Sequence, residues 1–217
     1  MFQGRELGGA ELGVGTVYCI GRNYAAHARE LGNAVPGDPV VFLKAAGALR
    51  GLEPAPVAFA SETFHHEVEV VIRVGRSVGL GQRAGWSDVS HVALGLDLTR
   101  REVQTRLKTE GLPWTAAKSF AGSGVLGPFV PLSAVGDPES LAFGLEVNGE
   151  ARQRGEIGRM TFSVPTLLSH LATLAPLVPG DLVYTGTPEG VGPLRVGDTF
   201  SMDLTAAGGQ WSFSGRL

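Results

Sequence analysis

Only one cysteine, Cys19, occurs in the 217 residues, so no disulfide can form within the chain. That fits a reducing compartment. Cys19 stands in the apolar run Val17-Tyr18-Cys19-Ile20 and is expected to be a buried, inert thiol rather than a nucleophile. No apolar stretch approaches the ~20 residues that a membrane-spanning helix needs. Arg5 and Glu6 interrupt the N-terminus before any signal-like apolar segment forms, and a cytoplasmic address is the expectation. Basic runs are missing too: none is longer than Arg100-Arg101, and the formal net charge is −3. Such a chain offers no broad positive field to nucleic acid or to an anionic membrane. No repeat or low-complexity linker divides it, so residues 1–217 are expected to form one domain.

Glycine, by contrast, is abundant at 32 residues, with 13 prolines, which implies many tight turns between short elements. The first expected strand is Thr16–Ile20. Asn23 then has the character of a cap for a short helix through about Leu31, ended by Gly32. Val40–Leu43 is a second apolar run, followed by a Gly/Pro/Ala-rich loop to about Ser61. His65–Val74 is the best strand, because Val70-Val71-Ile72 is apolar on both faces and suits a sheet interior. His91–Leu98 is another strand, and Thr99 to Glu102 has capping-box spacing for a helix to about Glu110. Asn148-Gly149, between Phe143–Val147 and Glu150–Arg154, signals a hairpin. Ser163 and Pro165 open a helix with Leu167, Leu168, Leu171 and Leu174 on its apolar face, and Leu182–Thr185 and Asp198–Leu204 supply late strands. The pattern predicts a sheet-dominated α+β fold.

The chemistry-bearing segment is His65-His66-Glu67-Val68-Glu69. Alternation along a strand places Glu67 and Glu69 on one face, roughly 7 Å apart. Two partly buried carboxylates repel each other and lose hydration unless a cation compensates. Asp97, ending the apolar run Ala93–Leu98, offers a third acid, and such a hard-oxygen set suits Mg²⁺, Mn²⁺ or Ca²⁺. His65 and His66 lack the spacing and partners of a zinc or iron site and are expected to pack or to support the ligands. His27 and Glu30, three apart on a helix, can form an imidazole–carboxylate pair of the kind that activates water. Lys118 is a lone cation among apolar neighbours, either a surface lysine with a buried stem or a group that steadies an oxyanion, and Arg101 and Gln104 can together hold a carboxylate. Thr185-Gly186-Thr187-Pro188-Glu189-Gly190-Val191-Gly192 lacks the ending of a phosphate loop but offers amides and Thr187 to a small anion.

The order of these motifs is specific. Gly-Arg-Asn-Tyr (21–24), Phe-Leu-Lys (42–44), His-His-Glu-Val-Glu (65–69), Asp-Leu-Thr (97–99), Gly-Leu-Pro-Trp-Thr (111–115), Lys118, Val-Asn-Gly-Glu (147–150), Phe-Ser-Val-Pro (162–165) and the loop at 185–192 run in sequence. Over residues 14–205 the chain resembles the fumarylacetoacetate hydrolase family, most of all its compact acylpyruvate hydrolase and oxaloacetate decarboxylase members. The resemblance implies a mixed β-roll or sandwich with a few short helices, a homodimer, and one divalent cation per subunit, Mg²⁺ foremost. It implies Glu67, Glu69 and Asp97 as metal ligands, His27 and Glu30 as a water-activating dyad on a lid helix at about 22–32, and Lys118 as the oxyanion-binding lysine. Arg22, Arg101, Gln104 and Thr187 become substrate contacts. Gly47, where many relatives carry serine, and the small segment Ala121-Gly122-Ser123-Gly124 depart from the family pattern near the expected pocket.

The chemistry implied is hydrolysis or decarboxylation of a small 2-oxo acid, an acylpyruvate or oxaloacetate, through an enolate at carbon 3. Tautomerisation of the same substrates is the alternative, since it needs only proton transfer at that carbon. A non-catalytic metal-stabilised β-module is the rival of another class, and a cupin-like oxygenase would demand a histidine-rich ligand set that the chain does not offer.

Overall fold

Val68–Val74 lies at the middle of the largest sheet and is buried at every position except the partly exposed Arg73. The computed structural model describes residues 2–217. Across this sheet the strands run in the order Val40–Lys44, Val17–Gly21, Leu182–Tyr184, Val68–Val74, Val89–Asp97, Gly124–Leu126 and Leu49–Arg50, with Val130–Pro131 pairing beside Val89–Asp97. Leu182–Tyr184 is parallel to Val17–Gly21, and Leu49–Arg50 to Gly124–Leu126; the other pairings are antiparallel. The sheet is therefore mixed, as expected.

The period-2 geometry of the central strand divides two cores. Val68, Val70, Ile72 and Val74 face the larger one, where Phe143, Leu145, Val147, Phe200, Met202 and Leu204 arrive from a second, four-stranded antiparallel sheet. Val71 faces a smaller core with Cys19, Ala93, Leu126 and Tyr184. Each fully buried aliphatic side chain contributes roughly 1.5–3 kcal/mol, and this offsets the burial of charge at the end of the same strands. Cys19 is wholly buried, as its apolar run predicts.

The hairpin of the second sheet joins Ala142–Val147 to Glu150–Glu156 with Asn148 and Gly149 at φ 52° and 78°, as that dipeptide predicts. The helix Val164–Leu174 starts where expected, the Ser163 hydroxyl accepting from the Thr166 N–H. It buries Leu167, Leu168 and Leu171, but Leu174, assigned to the same face, is 58% exposed because the helix ends there and the chain turns away.

Two expected caps do different work. The helix Ala25–Glu30 has Tyr24, not Asn23, at its N-cap. Asn23 is instead fully buried, donating to the carbonyls of Phe162 and Thr185 and accepting from the Phe162 N–H, so it ties three segments together. Thr99 does not cap Arg101–Thr109 either; its hydroxyl donates to the Asp97 carbonyl. In both cases the buried backbone offered partners that outcompeted local capping. The final strand, Gly209–Arg216, was not expected, since its polar, glycine-bearing sequence carries little apolar alternation.

Candidate functional site

The expected continuous strand His65–Val74 is broken at Glu67. Phe64–His66 leaves the large sheet to pair with Gly192–Leu194, and Val68–Val74 carries on inside it. The Glu67 carbonyl still accepts from the Asp97 N–H at 2.8 Å, which locks the break against the end of the neighbouring strand. Glu67, Glu69 and Asp97 converge: each offers a carboxylate oxygen within 4.8 Å of the others, and all three are buried. Among the described residues this is the one cluster of three or more such side chains.

Basic side chains press into the cluster. Lys118 Nζ donates to Glu67 Oε2 and Asp97 Oδ2 at 2.6 Å each and to the Thr99 hydroxyl at 2.7 Å. Arg101 pairs with Glu67 Oε1 and donates to Gln104 Oε1 at 2.6 Å. Lys44, buried at the end of its strand, lies 2.7 Å from Asp97 Oδ1 without hydrogen-bond alignment to it, and also donates to the Lys118 carbonyl. Burial opposes ionisation of Glu67, but Lys118 and Arg101 overcome it and hold this carboxyl well below the usual range.

Glu69 has no such partner. Burial, then repulsion from Asp97 and Glu67, pushes its carboxyl well above the usual range. Its one strong neutral contact is the Gly186 N–H, which donates to Oε2 at 2.7 Å. Gly186 makes that contact at φ 101°, where a Cβ would stand 2.7 Å from that of Asn23, so the loop requires glycine there. A buried carboxylate without a cation, beside two others, is a donor set that a hard dication fits.

The helix Ala25–Glu30 covers the cluster. His27 is buried, with Nδ1 3.2 Å from Glu30 Oε2, and Glu30 Oε1 accepts from the Gly190 N–H at 2.9 Å. The helix is thereby fastened to the glycine-rich loop. Beneath it a cavity of about 30 Å³ is lined by Arg22, His27, Glu67, Glu69, Asp97, Arg101, Gln104, Lys108, Trp114, Lys118 and Thr187. That holds an ion or one water and falls far short of the ~300 Å³ of an ordinary ligand pocket. A groove of about 520 Å³ on the four-stranded sheet, between Phe143, Arg154 and Asp203, is roomier but has no comparable carboxylate cluster, so the small cavity is the chemical one.

All ten residues singled out from the sequence thus meet at or beside one cavity; Glu30 is held against its His27 wall. Three details differ from expectation. The Thr187 hydroxyl is committed inside the protein, donating to the Val68 carbonyl and accepting from Gln153 Nε2. Lys118 is ion-paired rather than lone. Gly47 and residues 121–124 do not line the cavity. His66 does support the strand break, through Gln153, whose Oε1 also accepts from the Val68 N–H. Sequence reasoning missed Lys44, Lys108 and Gln153. Lys44 carried the one usable signal, a charge ending an apolar strand, and Lys108 shares a helical face with Arg101 and Gln104 by its spacing of seven and four.

The model of the family described as fumarylacetoacetate (FAA) hydrolase C-terminal matches residues 16–210. The chain belongs to the fumarylacetoacetate hydrolase family. Among curated relatives in or near this family, the mitochondrial oxaloacetate tautomerase FAHD1 of Bos taurus is 43% identical over 185 residues, 84% of this chain and 83% of that one. The Arabidopsis thaliana protein of the same name is 39% identical over 191 residues, 87% of this chain and 86% of its own. Of solved structures, fumarylpyruvate hydrolase from Pseudomonas aeruginosa, in complex with Mn²⁺ and pyruvate, superposes with a TM-score of 0.87 at 35% identity. The match covers 99% of this chain and 94% of that one. The family fold is thus the mixed, sheet-dominated one described above. The relatives' mitochondrial designation differs from the cytoplasmic address expected from the sequence, and no helix among the described residues is long and apolar enough to cross a membrane.

Proposed function

We propose that this chain interconverts the keto and enol forms of a small 2-oxo acid of the oxaloacetate type, with one divalent cation held by Glu67, Glu69 and Asp97. The observation that carries this is the convergence of three buried carboxylates, one of them without a cation, beneath a histidine–glutamate pair. The sequence by itself favours hydrolysis or decarboxylation; the names of the relatives move the weight to tautomerisation. When bound, a dication supplies Lewis acidity that lowers the cost of negative charge on the 2-oxo oxygen.

The chain's own groups do the rest. Glu30 accepts from Nδ1–H of His27, which fixes the tautomer and leaves Nε2 basic toward the cavity. There Nε2 takes a proton from carbon 3 of the keto form, while Lys118 Nζ steadies the oxygen that gains charge and donates the proton completing the enol. Arg101, with Gln104, and Arg22 orient the substrate carboxylates. Entry of any 2-oxo acid requires the helix Ala25–Glu30 to swing off the loop, since the cavity in its present form is too small.

Hydrolysis of an acylpyruvate is a second reading, favoured by the likeness to fumarylpyruvate hydrolase. His27 Nε2 would then take its proton from a water attacking the distal carbonyl. We further propose, from the family resemblance, a homodimer. The test follows the enol absorbance of oxaloacetate and, by ¹H NMR, pyruvate release from acetylpyruvate, each with Mg²⁺ or Mn²⁺ and with chelator. Metal-dependent acceleration of the first supports tautomerisation, and pyruvate from the second supports hydrolysis. No turnover of either with any divalent metal defeats both readings.

A further inference from the structure

Two cations at the cavity have no acidic partner. Lys108, half-buried on the face it shares with Arg101 and Gln104, lines the cavity and places Nζ 5.2 Å from the centroid of the Trp114 ring. Arg22 lines it from the other side, and its Nε is buried without a hydrogen-bond partner. Its backbone sits at φ 59°, a left-handed conformation that is strained for a non-glycine residue and persists only where the surroundings enforce it.

Resting on the functional reading above, we propose that Lys108, together with Arg22, forms a subsite for the second, distal carboxylate of the substrate and so selects dianionic over monoanionic 2-oxo acids. Charge supports this. Four basic side chains, Arg22, Arg101, Lys108 and Lys118, line the cavity against three carboxylates. Lys118 and Arg101 are already paired with Glu67 and Asp97. A dication added to that wall leaves Lys108 and Arg22 as uncompensated positive charge. Burial first, then Arg22, Arg101 and Lys118, pull the Lys108 ammonium down to about 8, against a weaker opposing effect of Glu67. A lysine held among cations gains more from an incoming anion than a solvated one does. The apolar Trp114 face beside it keeps that anion out of bulk water.

The test compares oxaloacetate, a dianion, with acetylpyruvate, a monoanion, in the metal-loaded enzyme. In Lys108→Met the ratio of kcat/KM for oxaloacetate to that for acetylpyruvate falls tenfold or more, chiefly through KM, and Lys108→Arg restores it. Arg22→Gln lowers the same ratio. Equal losses on both substrates, or no loss, overturn the subsite. A binding measurement independent of turnover runs alongside: succinate, with the carbon skeleton of oxaloacetate, raises the Tm of the wild type more than butyrate does, and Lys108→Met removes that difference. If the wild type turns over neither substrate, the functional reading fails, and the succinate contrast alone decides the subsite.

Discussion

The Nζ of Lys44 lies 2.7 Å from Oδ1 of Asp97, with both side chains shut away from solvent. Lys44 comes from the edge of the large sheet and Asp97 from a strand four places further in, so the pair joins distant strands of that sheet at the carboxylate cluster. Removing one partner of a buried pair leaves an uncompensated charge, which costs about 3–5 kcal/mol. Lys44→Met should therefore lose about 3 kcal/mol in urea unfolding without metal, the lower end because Lys118 remains against Oδ2. Added Mn²⁺ should return part of it. An unchanged midpoint contradicts the pairing.

Glu30 links chemistry to motion, since one oxygen holds His27 and the other holds the Gly190 N–H. Glu30→Ala should speed hydrogen exchange of the 25–30 amides and lower turnover by about 10²-fold or more, the usual scale of general-base loss. Faster exchange with undiminished turnover would separate the lid from the base.

Thr187 is expected from family resemblance to contact substrate, yet its hydroxyl already serves Val68 and Gln153. Thr187→Val should destabilise the fold by about 1–3 kcal/mol by stranding buried groups. A large rise in KM at unchanged stability would instead mark a direct substrate contact.

His66 sets a pH dependence. Burial, only partly opposed by its contact with Gln153, holds the ring below its ordinary 6.5. As pH falls below that value the unfolded chain binds the proton before the native one does, so stability is full above about 6.5 and is lost toward the lower folded value. Tm should fall between pH 7 and pH 5, and His66→Gln should flatten the slope. An equal slope in the variant excludes His66 as its source.

Much of the site was legible because its elements follow local rules. The apolar runs within Val68–Val74 and Val89–Asp97 place Glu69 and Asp97 at strand ends, and three-residue spacing joins His27 to Glu30. What was hidden depends on distant partners. The break at Glu67 arises because His66 is captured by Gln153, 87 positions away, and Asn23 forsakes its cap for carbonyls more than 130 residues off. Lys44 meets Asp97 only through strand order. Neither propensity nor periodicity encodes such pairings.

The central claim is that Glu67, Glu69 and Asp97 jointly hold a dication. Anomalous scattering at the manganese edge, from crystals grown with Mn²⁺, tests it directly. One peak per chain is predicted, bounded by oxygens of these three side chains, with Lys118 withdrawn from the position it now shares between Glu67 and Asp97. A peak elsewhere, or none while the protein still turns over 2-oxo acids, contradicts the account.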